Sequence, residues 1–401
     1  MFLALVLALA APPSDFVATG PGEARPAGRI VKIAADGSVE LATVDRVVTI
    51  RDAIGVRRSG VPLPPLPRGP VLLTTAGDRI PLQKLDSGTF LAGDDQSLRV
   101  RPLFSESVWE VPVSYAVLAW LAKPPADTPI DPARYAWLPA DRNRDFIRLG
   151  NGDTASGAFS GFKDDVGLRL KPETGDERLV PVAELSAVAF NPTLARNRKV
   201  KGPYARLVLR DGARLAVTQA TADAETLKGK SLFGQTVEIP LTDLVSLDVI
   251  QGKAVYLADL KPKKVEQAGF LGPAWAWSAN RTVRGEPLRL LDAAGESTFD
   301  RGLGSHPRTV LTYDLAGKFK RFEAVVGLDA ATGTRGRAAV RVLVDGKEQP
   351  LPELQKLAAG PAIPVSVNVT GAKELALIVD FGPAGDVQSD VNWGDARLIE
   401  P

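Results

Sequence analysis

The stretch AAVRVLVDG, residues 338–346, alternates side chains along its length: Val340, Val342 and Val344 fall on one face, and Arg341 falls on the other. The stretch KELALIVDFG, residues 373–382, alternates in the same way. Successive side chains of a strand point to opposite faces of a sheet, so both stretches predict half-buried antiparallel strands. The dipeptide Asp345-Gly346 predicts a tight hairpin turn after the first of them.

The region around these strands, residues 254–401, is predicted to contain about eight strands separated by turns. Both ends of this region fall in strands. Strands of this number and length are typical of a jelly-roll β-sandwich, in which ligand-binding loops lie along one edge. The sequence therefore predicts a C-terminal sandwich domain.

A repeated pattern precedes the sandwich, in residues 71–253. Three segments, 71–122, 145–191 and 204–251, each begin with a glycine turn and end with a strand that follows a proline. The turn glycines are Gly77, Gly152 and Gly212, and the prolines are Pro112, Pro181 and Pro240. Each segment has the length of a small five-stranded barrel or a curled meander, so the sequence predicts an all-β array of three such units.

Residues 21–70 read as a β-hairpin segment followed by a proline-rich connector. The dipeptide Asp36-Gly37 stands between two apolar runs, which predicts a type I′ hairpin because both central residues of that turn need positive φ. The run VPLPPLPRGP, residues 61–70, cannot supply a ladder of backbone donors, so it is expected to be a stiff, extended spacer.

The first 20 residues are expected to form a secretory signal peptide. The apolar run from Phe2 to Ala11 is too short to cross a bilayer, and small residues follow at cleavage spacing. The alternative is a buried N-terminal helix, because the usual basic residues before the run are missing. The signal interpretation predicts a secreted, periplasmic or cell-envelope protein with no membrane span in its mature chain.

The amino-acid composition limits the kinds of partner and of catalytic site that the protein can have. With 49 Lys and Arg against 47 Asp and Glu, the formal charge is only +2, so no global field favours nucleic acid, and none is expected as a partner. The chain has no cysteine and one histidine, which excludes thiolate chemistry and metal sites built from several histidines. A non-enzymatic protein is therefore expected, with hydrolysis by paired carboxylates left open.

Four motifs of the C-terminal region occur in order: RGLGSH at 301–306, FKRFEAVVGLD at 319–329, VRVLVDGKE at 340–348 and NWGDARL at 392–398. Together they resemble the NPCBM family of carbohydrate-binding modules, which is found beside glycoside hydrolases and in exported bacterial proteins. The resemblance covers about residues 254–401. It implies a galactose-binding-like β-sandwich that binds a glycan, with a calcium ion in many members.

Sugar sites pair an aromatic platform with polar side chains that bind hydroxyls. Trp393 is a candidate platform, because DVNWGDA reads as a loop; Trp275 and Trp277, at i and i+2 of a strand, read more readily as core. His306 is expected mainly to fix its loop by donating to a backbone carbonyl, with a sugar hydroxyl as the second option. The other polar candidates are Asn392, Asp390, Arg308, Arg281 and Arg284.

A calcium ion, implied by the resemblance, would be held by Asp259 and Asp395, with Asp329 as another ligand or a turn cap. The sequence thus predicts an exported, non-catalytic protein whose C-terminal module binds a glycan while the β-units act as a spacer or contact other envelope proteins. The alternative is a structural or assembly protein of the cell envelope that binds no sugar. Exposed aromatic side chains on the edge of the sandwich would favour glycan binding. Burial of all three tryptophans would favour the structural role.

Overall fold

Four small β-units and a two-sheet sandwich make up the chain in the computed structural model, which describes residues 15–197, 199–270, 272–383 and 385–401. The predicted signal peptide lies largely outside the described residues. Helical structure in the described part of the chain is limited to six short 3-10 turns, at Val113–Tyr115, Pro132–Arg134, Val182–Glu184, Pro192–Leu194, Leu257–Asp259 and Leu354–Lys356. No helix of the described residues is long and apolar enough to cross a membrane.

The four units lie at residues 16–58, 71–120, 145–189 and 204–250, numbered units 1 to 4 and together called the array. Units 1 and 2 contain strands β1 (Phe16–Thr19), β2 (Ala27–Ile33), β3 (Val39–Ala42), β4 (Val47–Ile50), β5 (Gly55–Arg58), β6 (Val71–Thr74), β7 (Arg79–Gln83), β8 (Ala92–Gly93), β9 (Ser97–Pro102), β10 (Trp109–Pro112) and β11 (Ala116–Trp120). Units 3 and 4 contain β12 (Asp145–Leu149), β13 (Thr154–Lys163), β14 (Gly167–Lys171), β15 (Arg178–Pro181), β16 (Leu185–Ala189), β17 (Tyr204–Leu209), β18 (Arg214–Ala222), β19 (Thr226–Ser231), β20 (Thr236–Pro240) and β21 (Leu244–Ile250).

In every unit the first strand pairs with both the second strand and the last. These pairs are β1 with β2 and β5, β6 with β7 and β11, β12 with β13 and β16, and β17 with β18 and β21. A strand that bonds to both ends of its own meander curls the sheet into a small barrel. Units also pair with one another, β11 with β16 and β5 with β21, so their apolar side chains share one core.

The glycine turns explain how each meander starts. Gly77, Gly152 and Gly212 have φ of +78°, +96° and +88°, a backbone region that glycine enters without a steric penalty. The N–H of each donates to the carbonyl three residues earlier. Gly37 makes the same turn with φ +82°, but Asp36 keeps a negative φ. The hairpin predicted there is formed, but it is not of type I′.

Two expectations for residues 1–70 need correction. Residues 21–70 are not merely a hairpin and a connector, because five strands at 16–58 form a complete unit 1. Strand β1 also lies within the predicted 1–20 signal peptide, and Phe16 and Ala18 are buried in the core. Removal of all 20 residues would therefore remove a paired strand. Cleavage of a signal peptide would leave unit 1 intact only if it occurred before Phe16.

The sandwich consists of β22 (Ala254–Tyr256), β23 (Lys264–Gln267), β24 (Ser278–Ala279), β25 (Leu288–Asp292), β26 (Gly295–Phe299), β27 (Gly302–Ser305), β28 (Thr309–Asp314), β29 (Arg321–Leu328), β30 (Arg337–Val344), β31 (Lys347–Glu348), β32 (Leu357–Ala358), β33 (Ile363–Asn368), β34 (Glu374–Phe381) and β35 (Val391–Ile399). One sheet has the order β24-β27-β35-β29-β33, with β22 also beside β35. The other has the order β23-β28-β34-β30-β31, with β32 beside β30, and β25 and β26 form a separate two-stranded hairpin. All pairs are antiparallel, and one apolar core fills the space between the sheets, as predicted for β30 and β34.

The sandwich packs directly on the array. Leu63 of the proline-rich run and Val208 and Val245 of unit 4 form one buried cluster with Leu288 and Phe299 of the sandwich. The Leu63 N–H donates to Ser297 Oγ, 2.9 Å away, and the Leu63 carbonyl accepts from the Thr298 N–H at the same distance. The run at 61–70 forms no strand or helix, and it is part of the interface between the two regions.

Candidate functional site

Close packing around β27 fixes the position of His306. Gly302 and Gly304 lie in β27, where a Cβ atom would come within 2.1 Å of the Trp393 carbonyl oxygen and 2.3 Å of the Arg281 carbonyl oxygen, respectively. Only glycine allows the neighbouring chains to approach so closely. His306 follows this strand directly and is itself buried, with 5% of its surface exposed.

A buried carboxylate holds the histidine ring. Asp390 Oδ1 lies 2.7 Å from His306 Nδ1, and Asp390 Oδ2 accepts a hydrogen bond of 2.8 Å from Arg284 Nε. Burial acts to raise the pKa of Asp390, but the hydrogen bonds from His306 and Arg284 outweigh it and hold the pKa below its ordinary value. Asp390 therefore stays ionised and joins the histidine loop to the Arg284 loop. The histidine does anchor its loop, but through this carboxylate and not through the backbone carbonyl that was expected.

Trp275 lies over this buried pair at the surface. Its ring is centred 5.7 Å from the His306 ring, and the Arg284 guanidinium carbon lies 5.0 Å from the Trp275 ring centroid. Gln267 Nε2 donates to the Trp275 carbonyl over 2.6 Å and fixes the backbone there. Even so, 43% of Trp275 is exposed. The side chain is thus an oriented aromatic surface in contact with solvent.

Two assignments of tryptophans were wrong. Trp275 and Trp277 do not share a strand face, because both precede β24 in an irregular segment; Trp277 packs against the sandwich core, whereas Trp275 does not. Trp393 lies inside β35, not in a loop, and only 1% of it is exposed. Its Nε1 donates to Ser305 Oγ over 3.2 Å, so Trp393 is a core residue and not a platform.

A polar groove of about 350 Å³ begins at Arg284. Its lining is mostly polar and consists of Thr282, Arg284, Glu286, Arg289, Asp329, Ala331, Thr332 and Gln388. Burial raises the pKa of Asp329 to about 6, against a smaller opposing effect of the hydrogen bond from the Ala331 N–H. Near neutral pH the groove therefore offers acceptors, guanidinium donors and an amide to one ligand. We call Trp275, Arg284 and this groove the sandwich edge.

The remaining predicted polar residues are divided between the edge and its surroundings. Arg308 is exposed, and its backbone N–H and carbonyl pair with Ala268. Arg281 is half-buried, and its Nη1 donates to the Asn280 carbonyl. Asn392 is buried beneath the groove, and its Nδ2 donates to the Arg289 carbonyl, so it cannot contact a ligand at the surface. Only Arg284 of the predicted set lines the groove.

The predicted calcium ligands do not fit such a site. Asp259 is ion-paired with Arg301, whose guanidinium takes the place that a cation would need. Asp395 lines a cavity together with Asp248 and Arg397, and Arg301, the partner of Asp259, is also near it. Among the described residues no group of three Asp, Glu, His or Cys side chains is arranged to hold a metal ion.

Several residues of the edge have no distinguishing pattern in the sequence and were not predicted. Arg289, Glu286 and Gln388 line the groove, Gln267 supports Trp275, and Asp386 Oδ2 lies 3.9 Å from His306 Nε2. They come from segments up to about 120 residues apart along the chain, and each is an ordinary polar residue in a turn or strand. Their sequence context carries no signal, because only the packing of the two sheets brings them together.

Residues 253–399 match the model of the NPCBM/NEW2 domain, which confirms the predicted resemblance. A protein of Renibacterium salmoninarum named "Putative endo-alpha-N-acetylgalactosaminidase" is 29% identical over 196 residues. The match spans 45% of this chain but only 12% of that relative's length.

Two solved structures of carbohydrate-binding modules are similar to parts of this chain. One is the carbohydrate-binding module CBM51 of Clostridium perfringens GH95 in complex with methyl-galactose, which is 23% identical, with a TM-score of 0.32 over 36% of this chain and 99% of that one. The other is the tandem CBM51 pair of the family 98 glycoside hydrolase Sp3GH98 from Streptococcus pneumoniae, which is 13% identical, with a TM-score of 0.33 over 82% of this chain and 88% of that one.

Proposed function

From the NPCBM/NEW2 domain at residues 253–399, we propose that this chain is an exported, non-catalytic protein that binds a glycan at the sandwich edge. The observation that carries the proposal is Trp275, an aromatic ring 43% exposed and held in place by Arg284 above a buried His306–Asp390 pair. Exposed aromatics of this kind were the feature expected to separate glycan binding from a purely structural role.

The edge suits a sugar for two physical reasons. The apolar face of a pyranose ring can stack on the exposed part of Trp275, which replaces water on two apolar surfaces at once. The hydroxyls can then bind guanidinium donors of Arg284 and Arg289 and acceptors such as Asp329 and Gln388, whose side chains line the adjoining groove. One small site of this kind is expected to have a binding free energy of about −4 to −7 kcal/mol. Retention on a polymeric glycan would therefore depend on several such sites binding at the same time.

The experiment is a glycan array probed with the full chain, using plant, animal and microbial glycans. We expect saturable binding that Trp275→Ala weakens at least about tenfold and that Trp275→Phe retains in part, because a smaller ring still stacks. Leu194→Ala is the matched control: Leu194 is an exposed apolar side chain between units 3 and 4, 64% exposed, and its loss should leave binding unchanged. An affinity that is the same in Trp275→Ala as in the wild type for every bound glycan would refute the assignment of the edge.

A structural role remains the second candidate, and one observation favours it: the sandwich is docked on the array through a buried apolar cluster and ion pairs such as Arg214–Asp300. In that role the protein would contact other envelope proteins. A folded chain that binds none of the arrayed glycans would support this candidate.

A further inference from the structure

A second cavity lies between the array and the sandwich, separate from the edge. It measures about 490 Å³, within the range of small-ligand sites. Its walls come from strands β5 and β21 of units 1 and 4 and from strands β29 and β35 of the sandwich, and the side chains that decide its chemistry are those of Arg57, Ser246, Asp248, Arg301, Asp395 and Arg397.

Two carboxylates, one from each region, enter this cavity. Asp248 lies on β21 of the array and Asp395 on β35 of the sandwich, and the described structure gives neither carboxylate a hydrogen bond. The one ion pair at Asp248 is long, with 3.8 Å between its Oδ1 and Arg397 Nη1. Burial, and next the neighbouring Asp395 carboxylate, raise the pKa of Asp248 to about 7. Both carboxylates are half-buried, with 27% of the Asp248 side chain exposed, so both can bind a polar group of a molecule in the cavity.

Ser246 gives independent support for a ligand. It is 4% exposed, it lines the cavity two residues before Asp248, and its Oγ has no hydrogen-bond partner among the described residues. A buried hydroxyl left without a partner costs about 1–3 kcal/mol. The hydroxyl thus lacks a partner that a molecule in the cavity would supply.

The other charged groups around the cavity already have partners. Asp300 accepts from Arg214 Nε at 2.9 Å, and Glu323 accepts from Arg321 at 2.8 Å and from Arg397 at 3.2 Å. Of these ion pairs, Arg214–Asp300 joins the array to the sandwich, and Asp300 Oδ2 has no hydrogen-bond partner among the described residues. Spare donors are present as well, because the hydrogen bonds of Arg57 use its Nη2 alone and the ion pair of Arg301 uses its Nη1.

We propose that this inter-domain cavity binds a hydroxyl-rich ligand of one or two sugar units. Hydroxyl groups donate to both carboxylates and accept from guanidinium groups, so a single saccharide can satisfy Asp248, Asp395 and Ser246 and also reach Arg57 or Arg301. A ligand held there contacts array and sandwich together. Its binding stabilises the docked arrangement, because the ligand binds the folded state alone.

The test uses the full chain carrying Trp275→Ala, which removes the edge platform and leaves the cavity intact. Calorimetric titration with D-galactose, N-acetyl-D-glucosamine, D-glucosamine and lactose should show saturable binding of at least one sugar. Asp395→Asn added to this chain should weaken that binding about tenfold or more, as should Asp248→Asn. Asparagine tolerates the left-handed backbone at residue 395, where φ is +50°.

Asp345→Asn is the matched control, since Asp345 has a similar φ of +48° in an exposed turn away from the cavity, and it should leave the titration unchanged. No binding of any of the four sugars by the Trp275→Ala chain would overturn the cavity proposal while leaving the edge proposal standing. Binding that Trp275→Ala does not affect, but that Asp395→Asn and Asp248→Asn abolish, would support the cavity and refute the edge. Sugar binding that resists both Asp→Asn changes would also overturn the cavity proposal.

Discussion

Asp248→Asn should stabilise the protein increasingly as pH rises. In the unfolded chain Asp248 ionises near its ordinary pKa of 3.8, whereas in the fold its pKa is about 7. Between these values the folded state holds a proton that the unfolded state has lost, so the wild type loses stability as pH increases from about 4 to about 7. The shift corresponds to about 4 kcal/mol at most. Asparagine cannot ionise, so the variant escapes this loss.

The assay is urea unfolding of wild type and variant between pH 4 and pH 8.5. The difference in unfolding free energy should grow in favour of the variant by up to about 4 kcal/mol and level off above pH 7. Asp300→Asn is the matched control with the opposite sign. Burial raises the pKa of Asp300, but Arg214 and Arg206 outweigh it and the pKa is lowered, so Asp300 contributes stability above about pH 4 that its variant lacks. A pH-independent effect of Asp248→Asn would refute the reasoning.

Three further predictions concern stability and are checked by thermal unfolding. Arg214→Met should destabilise by about 3–5 kcal/mol, because the half-buried Asp300 carboxylate loses the fully buried guanidinium that pairs with it; adding Asp300→Asn should restore part of the loss. A chain beginning at residue 21 should melt lower than one beginning at residue 15, because it lacks β1 and the burial of Phe16, worth about 2 kcal/mol; equal melting would refute this. Gly394→Ala should cost about 1–3 kcal/mol, because its Cβ would lie 2.8 Å from the Phe299 ring, and an unchanged melting temperature would contradict that packing.

The alternation of apolar and polar residues correctly predicted the strands that have one face on the core and the other in solvent. The burial of β30 alternates along Ala338, Val340 and Val342, as its sequence does. Unit 1 was overlooked because β1, β4 and β5 have four residues each, too few for an alternating pattern to stand out. The glycine turns were found in units 2 to 4, and their positive φ shows why glycine stands there.

The prediction that the C-terminal residues around Trp393 form a loop was wrong for a physical reason. The sequence NWGDA has glycine and aspartate, which are typical of loops, yet it lies in β35. Gly394 is required there because the Phe299 ring occupies the space of a Cβ atom, and Asp395 has positive φ where the pairing of β29 with β35 shifts register. A β-bulge inside a buried strand has the same composition as a loop. The sequence alone does not distinguish a β-bulge from a loop, and for this reason Trp393 was predicted to lie in a loop.

The interface between array and sandwich changes what the array can do. A spacer would leave the sandwich free to move, but here Leu63, Val208 and Phe299 are buried in a cluster drawn from both regions, and Arg214 is 1% exposed against Asp300. Separating the regions would expose this cluster and leave a charged pair without partners, so the docked state is favoured by burial and by charge together. The sandwich edge is therefore presented in a fixed orientation relative to the array. A glycan bound at the edge would constrain the array as well, which makes the whole chain, and not residues 254–401 alone, the unit whose binding should be measured.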